Sequence, residues 1–516
     1  VTRAFDTVVI GGGTNGLVAA IVLARAGSKV LLAEASPELG GAFREIEFAP
    51  GLRASPLVAD AGYVSPDVLR ATGLDALTEE VSADPTVLAL GEGEPLALYR
   101  DIARTVQSLQ RISPKDAQRW PAFAGQVRQF GVFLHELYRA PPPRIEANTF
   151  GEFLQLANLG LKFRGLGQAN MIELMRTLPM SAADWLDDWF ESDRLKGMLA
   201  ALAVRDVAQG PMSGGTAFTF LHGHVGAKPG LFGERLRLQG GPMALVKALA
   251  DRARAAGVTI QTSAAVQRVV VRNDAIAGAV LASGEEIACR EAVSSLDPTR
   301  SLFELLDPVH LDPEFMQAVR NIRYRGVATI VMLALEGSRP ASAGTAIVAP
   351  SIRYVERAYD TVKYGGCSEE PIVELRFQGA NVAVLHVQFT PYGSRESTAD
   401  RAIALVERHL PGFSARIHGR IVLTPADLES KFGLREGAVS QGEMMLDQIL
   451  FMRPVAGASR YAMPVPGFYL CGASTHPGGG MTGLSGLLAA RAVLAARKPR
   501  RTHASVQLSV SRSKTV

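Results

Sequence analysis

Thr7, Val8, Val9 and Ile10 form an unbroken β-branched run, which predicts a short strand buried on both faces. Leu17 to Ala26 shift to helical spacing, Gly27 predicts the stop, and Lys29 to Ala33 predict a second strand. Residues 66–140 read as mostly helical, with a strand or turn near Val87–Leu98, and Pro141-Pro142-Pro143 then breaks the chain. Residues 149–210 read as several amphipathic helices. Met171, Leu174, Met175 and Leu178 recur at helical spacing there, as do Trp185 and Trp189; this suits core packing first and an apolar cavity wall second. After Gly240-Gly241-Pro242 a helix carries Leu245, Leu249 and Ala253 on one face. Strand-like stretches follow at Val258-Thr259-Ile260, Val266–Val271, Ala277–Leu281, Ala328–Leu335 and Val382–Phe389, with a helix over 399–410. Phe468 to Cys471 read as a last buried strand and Leu484 to Ala496 as a last helix. Strands alternating with helices predict an α/β fold.

The turn after the first strand places Gly11, Gly13 and Gly16 in the spacing G-x-G-x-x-G, and the second strand ends on Glu34. The first glycine permits the tight turn, the second lets backbone approach a pyrophosphate, and the third lets helix and strand pack closely. The free N–H groups of that helix face phosphates, and the carboxylate at the strand end can accept ribose hydroxyls. A dinucleotide site therefore draws on Gly11, Gly13, Thr14, Asn15, Gly16, Glu34 and Ala35, with Gly40 and Gly41 offering a second stretch of open backbone. Near the other end, Gly472-Ala473 leads through His476-Pro477-Gly478-Gly479-Gly480-Met481 to Gly483 and the last helix. Those amides are unobstructed, and a helix N-terminus beyond them can steady negative charge.

The order strand, G-x-G-x-x-G, Glu34, Gly40-Gly41, Phe48-Ala49-Pro50-Gly51 resembles the FAD-binding entry of the amine oxidase and phytoene desaturase superfamily. The string from Gly467 to Leu484 resembles the C-terminal flavin motif of phytoene desaturases, and Pro211-Met212-Ser213-Gly214-Gly215 onward resembles the branch of pyridine nucleotide-disulfide oxidoreductase-domain proteins. This resemblance implies a Rossmann-like, discontinuous FAD-binding domain with a mixed-sheet plus helical substrate domain. The expected boundaries are 1–100, 236–300 and 451–496 for the FAD domain, 101–235 and 301–450 for the substrate domain, and 497–516 for a disordered basic tail. It further implies non-covalent FAD held by the glycines named above, by Ala42, where many members carry Arg, by backbone at Val266, and by Gly472, Ala473, His476, Gly478, Gly480 and Met481. Ala42 leaves Arg44 two places on as the nearest cation.

Charge and cysteine content narrow the function further. The six cations from Arg497 to Lys514 turn the +4 of the whole chain into −2 without them, so the body is not a nucleic-acid surface. Cys289, Cys367 and Cys471 form no C-x-x-C pair, which excludes a dithiol redox centre and a thiolate metal site and suits a reducing, cytoplasmic compartment. No apolar run reaches the length that spans a bilayer, and the scattered basic residues of 497–516 offer a peripheral contact with anionic lipid. The chain opens almost directly on a strand, so no signal peptide is expected, and Val1 suggests a non-ATG start in a bacterial gene.

These features lead to an FAD-dependent dehydrogenase or desaturase that moves a hydride from a small hydrophobic substrate to flavin N5. With no second G-x-G-x-x-G for a nicotinamide domain, oxygen or a quinone is the expected electron acceptor. Candidate catalytic residues are Arg205, His222 and Glu443. His222 and His224 read as structural histidines, as residues facing the flavin cavity or, without nearby partners, as a metal pair. Glu443 and Asp447 form an acid–base pair or a solvated face if their stretch is helical. A flavin amine oxidase and a flavin-binding regulator without turnover are the alternatives.

Overall fold

The computed structural model describes residues 3–497 apart from 59, 75–76, 80–84, 94, 144–149, 233–234, 338–343 and 394–396. Its first layer is a five-stranded parallel sheet in the order Phe468–Leu470, Glu291–Ser294, Thr7–Ile10, Val30–Ala33, Thr259–Gln261. The β-branched run sits at its centre with all four residues buried. A parallel sheet needs cover on both faces. Val9 and Leu32 face a helical layer made of Thr14–Arg25, Pro242–Ala255 and Leu484–Arg497. Val8, Ile10 and Leu31 face a four-stranded sheet through Ile276 and Ala279.

A seven-stranded mixed sheet forms the other half, in the order Ile417–Leu423, Ala328–Leu335, Val382–Gln388, Ile372–Gln378, Thr345–Val348, Val87–Leu90, Leu96–Leu98. All its pairs are antiparallel except Thr345–Val348 with Val87–Leu90. One face packs Val373, Leu375 and Phe377 under the helix Ser397–His409. The helices Pro114–Tyr138, Ala182–Trp189, Asp193–Ala203 and Thr216–Gly223 build the rest of this half.

Several expectations change. Val87–Leu90 and Leu96–Leu98 pair into the seven-stranded sheet although they precede the expected boundary at 100; strand pairing over long separation is invisible to local pattern. Arg497 is the last residue of a helix, with Nε 2.8 Å from Glu291, and does not start a tail; residues 498–516 lie outside the described residues. Residues 440–445 are not helical, so the one-turn spacing of Glu443 and Asp447 does not arise. Leu174 is fully buried but Met175 is 64% exposed, and none of Met171 to Leu178 lines the main cleft.

Candidate active site

The turn after Ile10 is built by close approach. A Cβ on Gly16 would lie 2.0 Å from the Gly11 carbonyl oxygen, so only glycine brings the helix this near the strand. Gly40 donates its N–H to the Gly12 carbonyl at 3.0 Å, which docks the second glycine pair onto the first loop. Glu34 accepts from the Gly12 N–H through Oε2 at 2.6 Å and from the Ser36 N–H through Oε1 at 2.8 Å. Both carboxylate oxygens are thus aimed and each keeps a lone pair for a ribose hydroxyl.

Gly11, Gly13, Thr14, Asn15, Glu34, Ala35, Gly40, Gly41 and Ala42 line one cleft together with Ala473, Gly478, Gly480 and Met481. The two glycine-rich ends therefore close on the same space, about 570 Å³. Asn15 Oδ1 and Gln441 Oε1 line it, buried and without a hydrogen-bond partner among the described residues. Open glycine backbone beside two helix N-termini, Thr14 and Leu484, fits the phosphates of FAD, and the orphaned amide oxygens suit its N–H and hydroxyl groups. Four of the expected contacts do not line the cleft. Gly16 and Gly472 serve backbone packing, a Cβ on Gly472 meeting Ser295 O at 2.4 Å. Val266 begins a strand of the four-stranded sheet, and it is Ala264 that donates its N–H to Glu34 O, at 2.8 Å. His476 is buried behind the loop, edge-on to Tyr138, so it shapes the loop.

The C-terminal loop is held from behind. Tyr461 donates its hydroxyl to His476 O at 3.0 Å. His222 Nε2 lies 2.9 Å from Gly479 O, which fixes the proton on that nitrogen, and Nδ1 then accepts from the Tyr138 hydroxyl at 3.0 Å. Burial, reinforced by the Arg235 charge, pushes the His222 pKa down to about 3. A neutral ring with both nitrogens engaged is no base, so the expected catalytic role of His222 gives way to positioning. His224 donates Nδ1–H to Phe220 O at 2.7 Å, and its Nε2 has no partner among the described residues. Burial lowers its pKa to about 4, and that of His476 to about 3.

These three histidines make stability pH-dependent. Each folded pKa lies below the unfolded value near 6.5, so the unfolded chain binds more protons and stability falls as pH drops through 6.5 toward 4. The loss is about 2 kcal/mol per histidine at pH 5. Thermal unfolding from pH 7.5 to 5 should show a steep fall in midpoint, and H222Q should reduce that fall by about a third. A pH-independent midpoint would refute the assignment. Asp206 acts in another window: burial raises its carboxyl, but His386, Arg205 and Arg376 hold it down at about 2, so its contribution goes only below about pH 4.

The cleft continues under the seven-stranded sheet, where the turn after the helix Asp193–Ala203 lies. Gln388 binds this turn, donating to Val204 O at 2.7 Å and Val207 O at 3.1 Å and accepting from the Asp206 N–H at 3.1 Å. His386 Nε2 meets Asp206 Oδ1 at 2.8 Å. Arg205 lines the cleft and pairs with Glu374 at 2.8 Å. Glu443 lies outside the cleft: it is buried, pairs with Arg323 at 3.1 Å and accepts from the Ala208 N–H at 3.1 Å. It is a structural anchor, which overturns both its expected catalytic role and the solvated face.

Sequence reasoning missed Asp206, Arg235 and Arg376 in the lining and Glu374, His386 and Gln388 behind it. A signal existed: in Ile372–Gln378 two charges stand two residues apart in an otherwise apolar strand, on one face.

The comparisons with known proteins agree with this geometry. The family model described as flavin containing amine oxidoreductase matches residues 16–494. A rat protein, pyridine nucleotide-disulfide oxidoreductase domain-containing protein 2, is 31% identical over 95% of this chain and 93% of its own. Hydroxyneurosporene desaturase of Rubrivivax gelatinosus is 26% identical over 96% and 94%. The solved structure of putrescine oxidase bound to putrescine superposes with a TM-score of 0.62 at 14% identity, covering 96% of this chain and 100% of that one, which shows a shared fold. With rodent and bacterial relatives alike, the bacterial reading of Val1 gains no support.

Proposed function

Because the chain belongs to the flavin-containing amine oxidoreductase family and its cofactor is FAD, we propose that it is a dehydrogenase or desaturase acting on a substrate C–H bond, with a C=C or C=N bond as product. The observation that carries this reading is the single cleft running from both glycine-rich loops to the floor beneath the seven-stranded sheet. FAD, when bound, supplies the hydride acceptor. The chain's own part is to bind and orient. Gly13, Asn15 and Glu34 offer the nucleotide contacts, and the N-terminal end of Leu484–Arg497, beside Met481 and Thr482, favours negative charge on the ring edge. Tyr138, His222 and Arg453 hold the loop that delivers Gly478 to Gly480.

The lining favours dehydrogenation over amine oxidation. Among the described lining residues there is neither Tyr nor Trp to flank a ring, and Lys431 stands at the exposed rim. The purified protein should show a flavin absorbance spectrum and release FAD on denaturation. After anaerobic photoreduction, a soluble quinone should reoxidise it faster than air does. Rapid reoxidation by air, with hydrogen peroxide released on adding amines, would favour an amine oxidase; a flavin that neither acceptor reoxidises would favour a binding protein.

A further inference from the structure

The seven-stranded sheet has one dry face and one polar face. Along Ile372–Gln378 the residues Val373, Leu375 and Phe377 lie in the core under Ser397–His409, so Glu374 and Arg376 turn to the opposite side. His386 stands across from Glu374 on the neighbouring strand, with Gln388 two residues on. Four buried polar side chains on the central strands of a sheet are unusual and call for partners.

Three of the four have them. Gln388 is spent on the turn 204–207, His386 on Asp206, and Glu374 on Arg205. The remaining acid near this floor, Asp60, accepts from the backbone N–H groups of Gly62 and Arg235. Arg235 itself donates to Gly480 O at 2.8 Å. Arg376 is left over. It is 6% exposed and lines the cleft, and among the described residues its guanidinium has no hydrogen-bond acceptor, Nε being fully enclosed. Burying a cation without acceptors is costly, and such a group is retained where something else completes it.

We propose that Arg376 seats a carboxylate of the substrate, so that the compound oxidised in this cleft is a lipophilic monocarboxylate; this rests on the dehydrogenase reading for what the cleft acts upon. The planar guanidinium matches a carboxylate with two parallel hydrogen bonds. A monoanion suits the floor better than a phosphate, because the two cations Arg205 and Arg376 already stand among three acids, Glu374, Asp206 and Asp60, which would repel a second negative charge. Leu57, Val58, Leu202, Val207 and Leu434 line the same cleft and accommodate a hydrocarbon body. Fixing one end of such a chain sets which carbon reaches the coenzyme, a positioning effect that an apolar slot alone does not provide.

The test uses the FAD-loaded protein and calorimetric titration with octanoate, octanol and octyl phosphate. Octanoate should bind at least about 30-fold more tightly than octanol, and R376M should lose that advantage while keeping its flavin content and melting midpoint. R376K, which keeps the charge but not the fork, should fall between the two and covers the case in which R376M does not fold. Equal affinity for octanoate and octanol, no octanoate binding by the wild type, tighter binding of octyl phosphate, or unchanged octanoate binding in R376M or R376K would each overturn the proposal. Loss of FAD from a folded R376M would overturn it too, by assigning the guanidinium to the coenzyme. Reoxidation of the wild-type flavin by quinone reports separately on the dehydrogenase reading, so the two can fail independently.

Discussion

Replacing Gly13 with valine should give a folded protein that no longer retains FAD. Gly13 has φ −73° and ψ 175°, which any residue adopts, so its backbone does not require glycine. The nearest atom to a Cβ built there is Gly41 Cα, at 3.8 Å. The fold has room for a side chain, and the room is the cleft itself. Valine would fill the place where a pyrophosphate meets the N–H groups at the start of Thr14–Arg25, and loss of those charge-assisted contacts should weaken FAD by at least about 100-fold. The measurement is the flavin-to-protein absorbance ratio after gel filtration, beside a thermal melt. Full occupancy in G13V would count against this placement of the nucleotide. Gly16→Ala is the counterpart, because its Cβ would strike Gly11 O at 2.0 Å, and it should destabilise the fold itself.

The second large effect is expected at Arg453. This side chain is 2% exposed and, among the described residues, faces no carboxylate. It donates instead to Ala473 O at 2.7 Å, Ser440 O at 2.7 Å, Gln448 O at 3.1 Å and Gly442 O at 3.3 Å. Burial lowers its pKa to about 10, so it stays charged at neutral pH. R453M fills the volume but leaves four carbonyls without donors, a loss of about 4 kcal/mol at roughly 1 kcal/mol each. Because Ala473 and Ser440 both line the cleft, FAD affinity should fall along with the urea midpoint. A stability change under about 1 kcal/mol would show that water replaces the guanidinium there.

What could be read from the sequence follows from how local each signal is. Thr7–Ile10, the glycine spacing and Glu34 lie within thirty residues and carry their own geometry, so their shared cleft was legible. The motif from Gly472 to Met481 was legible for the same reason, and its meeting with the first loop followed from the resemblance. The substrate floor was not. Arg205 was picked out, but its partner Glu374 and Arg376, which has no hydrogen-bond partner among the described residues, reach it only through strand register, which one sequence leaves open. Glu443 and His222 look reactive by residue type. Burial and partners on both oxygens of Glu443 and both ring nitrogens of His222, all tertiary properties, make them structural.

The order of strands in the parallel sheet has a consequence for how the protein is made. Thr7–Ile10 is made before the other strands of its sheet, yet its neighbour Glu291–Ser294 and the edge strand Phe468–Leu470 come about 280 and 460 residues later. At roughly 5–20 residues per second the nascent chain spends about 14–56 s with one side of that strand unpaired, its other side already meeting Val30–Ala33. Coenzyme loading therefore waits for strands that lie far apart along the chain. Chains that stall before Leu484–Arg497 would present an uncovered apolar sheet face to chaperones and proteases.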